Sequence, residues 1–250
     1  MKYKDFSQST WTQIKTLIEK TTASSPGPHY AAFDADGTLW DMDMGEAFFE
    51  YQINHCGLAN MPADPWAYYQ HEKEHGDTRK AYLWLAQINS GKTLEQVHDW
   101  SKDCLRRIPE VPVFPAQQKL IQYLQSLKVE IFVVTASIKW AVEPAAGLYG
   151  IDYDHVLGIE TEVESGIVSE RQKGLITWRE GKAQKIKEVT GGKSPILACG
   201  NTMGDFHLLS IASPVSLAVS AAPKDHELYK TESELREKAR ENGWLSHSFI

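Results

Sequence analysis

The sequence predicts an α/β protein whose parallel-sheet core is interrupted by an all-helical insert. Three features carry that expectation. Short apolar runs at 30–33, 129–134 and 195–199 each stop at small or polar residues, as buried parallel strands do. Helical apolar spacing recurs between them, and the stretch 45–107 has helical spacing throughout with no parallel-strand pattern.

In chain order, residues 9–20 place Trp11, Ile14, Leu17 and Ile18 at helical intervals, with Ser9 or Thr10 as cap. Residues 21–28 break this helix with Ser, Pro and Gly. The run 30–33 then reads as a buried strand that ends in Asp34-Ala35-Asp36-Gly37-Thr38. Alternate strand residues share a face, so Asp34 and Asp36 lean the same way at the carboxyl end, where open parallel sheets bind ligands. Two carboxylates this close repel each other unless a divalent cation or a shared proton relieves them.

Helical spacing follows at 46–53, 65–75, 78–89 and 94–106, with breaks at Pro62-Ala63-Asp64-Pro65 and Asn89-Ser90-Gly91. We therefore expect an α/β core formed by 1–44 and 108–250 and a helical domain at 45–107, with the Pro-rich 108–115 as return linker. A helix at 116–127 leads to the strand 129–134, which ends at Thr135-Ala136-Ser137. A hydroxyl and free amides at such a turn make an anion site, although Thr135 as a simple helix cap fits this stretch equally well. Val156-Leu157-Gly158-Ile159 and the turn Glu164-Ser165-Gly166 suggest a β-hairpin. A lysine-rich helix starts at Gly181, the strand 195–199 runs into Gly200-Asn201-Thr202-Met203-Gly204-Asp205, and a strand at 214–219 and a charged helix at 232–242 close the pattern.

Bulk properties narrow the partners. The chain has 250 residues, 42% hydrophobic, and a net charge of −7, so it offers no basic footprint for nucleic acid or an anionic membrane. Cys56, Cys104 and Cys199 are odd in number and lack metal-ligand spacing, which suits free thiols in a reducing compartment. No run reaches transmembrane length and the first residues lack a signal-peptide core. The expectation is a cytoplasmic monomer or homodimer that acts on a small molecule.

Asp-x-Asp-Gly-Thr at 34–38, after an apolar strand, resembles the first motif of the haloacid dehalogenase superfamily. Thr135, Lys182 beside Gly181, and Gly200-Asn201 with Asp205 resemble its second, third and fourth motifs, in the family's order. The resemblance implies a Rossmann-like core with a helical cap between the first two motifs, as in the phosphoserine phosphatase branch. It implies a magnesium-dependent phosphomonoesterase in which Asp34 is the nucleophile, Asp36 the acid and base, and Lys182 the neutralising cation. Gly37, Thr135 and Ala136 would hold the phosphate, and Asp34, Asp36, Asn201 and Asp205 the Mg2+.

One position departs from the pattern. The fourth motif usually runs Gly-Asp-x-x-x-Asp, and Asn201 stands at its first acid, supplying an oxygen but no charge. Asp36 argues for a phosphatase over a dehalogenase, because an alkoxide leaving group needs a proton and a halide does not. Transfer to an acceptor other than water, and a phosphate-binding regulatory protein without turnover, both stay open. Asp43 falls where the phosphoserine phosphatase branch has an acid for the substrate amino group; Glu46 is a second acidic candidate and Arg79 a carboxylate clamp. Trp40, Trp66, Tyr68, Tyr69 and Trp84 would either line an ammonium pocket or form the helical domain's own core. His71 and His75, at i and i+4, are a zinc pair or a solvated face.

Overall fold

A strand buried on both faces must be apolar at every position, and the central strands here are built that way. The computed structural model describes residues 3–250. In chain order it runs α1 (Gln8–Ser24), β1 (Tyr30–Phe33), α2 (Met44–His55), α3 (Pro65–His75), α4 (Thr78–Gln87), α5 (Leu94–Arg107), α6 (Pro115–Ser126) and β2 (Glu130–Ile138). It continues with α7 (Lys139–Ala146), β3 (Val156–Ile159), β4 (Thr161–Glu164), β5 (Ile167–Gln172), α8 (Glu180–Val189), β6 (Leu197–Gly200), α9 (Phe206–Ser210), β7 (Val215–Ser220), α10 (Tyr229–Glu241) and β8 (Leu245–Ser248). The fold is a Rossmann-like α/β arrangement around a six-stranded sheet of order β3-β2-β1-β6-β7-β8.

Two compact units divide the chain. The first holds the residues up to Met42, Pro112–Val134 and Arg179–Ile250; the second holds Asp43–Val111 and Thr135–Trp178.

In the first unit β1 is flanked by β2 and β6, in parallel, with Ala31 opposite both Ile131 and Leu197. β7 and β8 extend the sheet, again in parallel. Ala31, Ala32 and Phe33 are fully buried, as are Ile14 and Ile18 of α1 and Leu120, Ile121 and Leu124 of α6. β8 lies outside the sequence expectation, because Leu245-Ser246-His247-Ser248 has no apolar run. It is an edge strand that needs only one paired side, and Phe249 just after it stacks on Phe114 with ring centroids 3.9 Å apart.

The second unit contains the expected helical stretch together with 135–178. Phe48, Phe49, Tyr69, Leu85 and Trp140 form its apolar core. Phe49 makes edge or stacking contacts with Trp66, Tyr69 and Trp84, which bury Phe49 and Tyr69 and leave Trp66 exposed on its outer side. The hairpin is β4 and β5, turning at Ser165 and Gly166, both in the left-handed region. Val156–Ile159 is not its first arm. All four residues are buried and they form the edge strand β3, where a Cβ on Gly158 would stand only 2.7 Å from the Cα of Lys139.

Candidate active site

The site grows from the end of β1. Asp34 makes a last sheet bond, its amide donating to the Cys199 carbonyl at 2.9 Å, and the chain then turns. Thr38 and Leu39 donate their amides to the Ala35 carbonyl at 3.1 and 2.8 Å, and Gly37 donates to Trp40 at 2.9 Å. Gly37 has φ +72°, and a Cβ there would run into the side-chain amide of Asn201, so only glycine satisfies both the turn and the close approach. The turn is held by its own side chains: Trp40 Nε1 donates to Asp36 Oδ1 at 2.8 Å. From α6, Gln117 Nε2 donates to the Thr38 carbonyl at 3.0 Å and reaches Cys199 Sγ at 3.1 Å. Gln117 is fully buried and carries no motif, and sequence reading passes it by.

Lys182, in the first turn of α8, places its ammonium between two carboxylates. Nζ lies 2.5 Å from Asp34 Oδ1 and 2.6 Å from Asp205 Oδ1, and all three side chains are buried. Burial pushes the Asp34 carboxyl up to about 7, the charge of Asp205 adds to that push, and Lys182 pulls against it. For Lys182, burial alone favours the neutral amine, but Asp205 and Asp34 overrule it and its pKa is raised. Asp205 Oδ2 accepts from the amides of Asn201 and Thr202, both at 3.1 Å, in a capping box that closes the loop after β6. The expectation that Asp205 is a metal ligand therefore rests on Oδ1, which holds Lys182 and keeps a second lone pair, since Oδ2 serves the two amides.

Asn201 sits on the other side of Asp34. The Thr38 hydroxyl lies 3.2 Å from Asp34 Oδ2 and 3.3 Å from Asn201 Oδ1. It has a single proton to give, so the two acceptor oxygens share one weak donor. The Asn201 Nδ2 donates to Glu232 Oε1 at 3.0 Å. Glu232, in the first turn of α10, is only 3% exposed and belongs to none of the four motifs. Burial raises its pKa, against the pull of donors from Ala222, Asn201 and Ala221.

These groups test whether a divalent cation suits the site. Asp34, Asp205 and Glu232 are buried and Asp36 half-buried, against one buried ammonium. The donors are all oxygens, as hard cations take. Among the described residues no three His, Cys, Asp or Glu side chains gather as a metal cage, so an oxygen from Asn201 is needed to complete a set with Asp34 and Asp36. With it, the donors fit.

The remaining candidates lie in the second unit. The Thr135 hydroxyl accepts from the Ser137 amide at 3.0 Å, as in a turn cap, and the Thr135 carbonyl accepts from Thr177 at 2.6 Å. Ala136 follows it within β2. Asp43 is the N-cap of α2 and accepts from the Glu46 amide at 2.8 Å. Glu46 is paired with Lys73 at 2.6 Å, and Lys73 also lies over the Tyr69 ring. Arg79 lies over Trp178, 5.4 Å from the ring centre. The rings of His71 and His75 are 5.4 Å apart.

Residues 31–210, running from β1 through the loop that carries Asn201 and Asp205, match the haloacid dehalogenase-like hydrolase family. The chain belongs to that family. Among solved structures, this haloacid dehalogenase-like hydrolase is similar to a protein of unknown function from Bordetella pertussis Tohama I, with TM-score 0.71 and 18% identity over 88% of this chain and 98% of that one. It is similar also to a functionally unknown protein from Anaerococcus prevotii DSM 20548, with TM-score 0.71 and 17% identity over 99% and 96%. A substrate-bound phosphoserine phosphatase shares the fold at TM-score 0.53 and 15% identity, over 87% of this chain and 99% of that one. No curated protein sequence matches the chain. No helix among the described residues is long and apolar enough to cross a membrane.

Proposed function

We propose that this hydrolase is a phosphomonoesterase that acts through an aspartyl-phosphate on Asp34, with Mg2+ as its cation. The observation that carries the reading is the buried Asp34 carboxylate with one oxygen fixed by Lys182 and the other at the Thr38 hydroxyl. A nucleophile so held meets phosphorus in one orientation. An Asp34 oxygen bonds to phosphorus while the bond to the ester oxygen breaks, and Asp36 gives that oxygen its proton. Asp36 then takes a proton from water as the water oxygen displaces Asp34.

Asp34, Asp36 and Asn201 would hold the cation, which supplies electrostatic stabilisation to the phosphoryl oxygens. Asp205 acts through Lys182, which it keeps charged and in place. Gly37, Thr135 and Ala136 keep the phosphate-holding roles that the family motif gives them. We take 45–107 as the helical cap. Asp43 and Glu46 as acids for a substrate ammonium, and Arg79 as a clamp for a substrate carboxylate, would have to act beside the cap, the ion pair and the ring contact that these side chains already make. The like-folded phosphoserine phosphatase puts phosphoserine first in a substrate panel, beside phosphoethanolamine and phosphocholine.

The test is aryl phosphate hydrolysis with and without Mg2+, comparing wild type with Asp34→Asn. We expect metal-dependent turnover in wild type and a loss on the order of 10⁴-fold in the variant. Turnover retained by Asp34→Asn would sink the mechanism. Phosphate binding without turnover under any metal would favour the second reading, a phosphate-ligand-binding regulatory protein, for which the uncharged Asn201 is the motive.

A further inference from the structure

We propose that Glu232 is a positioning residue for the cation site: it fixes which end of the Asn201 side chain faces Asp34, and it supplies the negative charge that Asn201 lacks. The inference rests on the metal-dependent reading above.

An asparagine side chain has two unlike ends. The amide oxygen can ligate a cation and the amide nitrogen repels one, so at position 201 the orientation decides the function. A carboxylate only accepts hydrogen bonds. Glu232 Oε1 lies 3.0 Å from the Asn201 side-chain nitrogen, which leaves Oδ1 turned toward Thr38 and Asp34. Glu232 is itself immobilised, because its Oε2 accepts from the amides of Ala221 and Ala222 at 3.1 and 2.9 Å. Its place in the first turn of α10 also favours a carboxylate. The neighbouring Thr231 takes a hydrogen bond from the Met203 amide at 3.0 Å, so one helical turn grips the loop at two points.

The partners of Glu232 among these bonds are neutral N–H groups, so its charge is oriented but not cancelled. Position 201 and position 232 together carry one negative charge, the same charge an aspartate at 201 with a neutral partner would carry. An aspartate at 201 beside Glu232 would instead bring two carboxylates to about hydrogen-bond distance inside the protein, where like charges repel strongly. The departure at Asn201 and the buried acid at 232 thus require each other.

Swapping the pair tests this. In Glu232→Gln the side-chain oxygen is retained by the Ala221 and Ala222 amides, and the new NH2 turns toward position 201. That flips the Asn201 amide and aims its nitrogen at Asp34. In Asn201→Asp with Glu232→Gln, the same NH2 donates to the new carboxylate, and charge and orientation are both restored. Mg2+ binding to the metal-free protein, read by titration calorimetry alongside thermal unfolding in EDTA, needs no turnover.

We expect Glu232→Gln to weaken Mg2+ binding about 10- to 100-fold; Asn201→Asp adds a carboxylate beside Glu232, so its cost is read as lower metal-free stability, which Mg2+ relieves. The double variant should return to within a few-fold of wild type, and Asn201→Asp alone should unfold at lower temperature than the double. If Glu232→Gln fails to fold, the comparison of Asn201→Asp with the double variant still decides. Equal affinity in wild type and Glu232→Gln, or no recovery in the double, would overturn the role of Glu232 and leave the phosphatase reading standing. A wild type that binds no divalent cation would overturn the metal-dependent reading itself, and this inference with it.

Discussion

The two units of the chain use ionisable side chains in opposite ways. In the first, Asp34, Lys182, Asp205 and Glu232 are all buried, and each bonds to groups far away in sequence. In the second, the residues that looked equally promising are exposed or half-buried. Asp43 caps the helix that follows it, Glu46 pairs with Lys73 near the surface, and Arg79 covers a ring. A buried charge costs several kcal/mol unless it is well paired, whereas an exposed cap or a pair that solvent still reaches costs much less. A charge kept in the interior where the fold does not need it is therefore the better sign of chemistry.

That contrast is broken or upheld most sharply by removing one lysine from each unit. Lys182→Ala leaves Asp34 and Asp205 facing each other in the interior, and we expect about 3–5 kcal/mol of lost stability in metal-free denaturant unfolding. Lys73→Ala leaves Glu46 beside solvent and should cost about 1 kcal/mol or less. Equal losses would mean that burial does not separate the two units.

How much of this was legible follows from the same contrast. The strand ends at Asp34 and Asn201 were readable because an apolar run and an abrupt polar stop are both local signals, whereas β2 runs past the expected stop at Thr135 to Ile138. Lys182 could be picked from its neighbours Lys185 and Lys187 only through its motif position; its burial on the inner side of α8 is a tertiary fact. Glu232 looked like the start of a charged surface helix, since nothing in Glu-Ser-Glu-Leu-Arg says which acid turns inward. Gln117 was invisible for the same reason: its partners, Thr38 and Cys199, lie about eighty residues away on each side. β8 was missed because an edge strand closed by one leucine carries no period to detect.

The second prediction is a pH dependence peculiar to the first unit. The Asp34 carboxyl is raised from 3.8 to about 7, so between those values the folded protein binds a proton that the unfolded chain has released. Metal-free stability should then fall as pH rises from about 4 to about 7 and level off above, by up to about 1.4 kcal/mol per pH unit. The slope belonging to this residue is the difference between wild type and Asp34→Asn in urea unfolding at pH 5 and pH 8. Mg2+ competes with the same proton, so its affinity should weaken below about pH 7, at most about tenfold per unit. A wild type and variant that track each other across this range would show that Asp34 ionises freely.

The smallest effect is the most discriminating for the second unit. Asp43→Ala removes the side chain that caps α2 and should cost about 1 kcal/mol, while Asp43→Ser keeps a capping oxygen and should restore most of it. If capping is all that Asp43 does, neither change alters the ratio of kcat/KM for phosphoserine or phosphoethanolamine to that for an aryl phosphate. The serine variant separates the two roles cleanly, since it has the hydrogen-bond acceptor that the helix needs and lacks the charge that an ammonium would need. A selective loss of tenfold or more on amino-bearing esters in Asp43→Ser, with stability intact, would return Asp43 to the substrate and show that a local structural task can coexist with recognition in this unit.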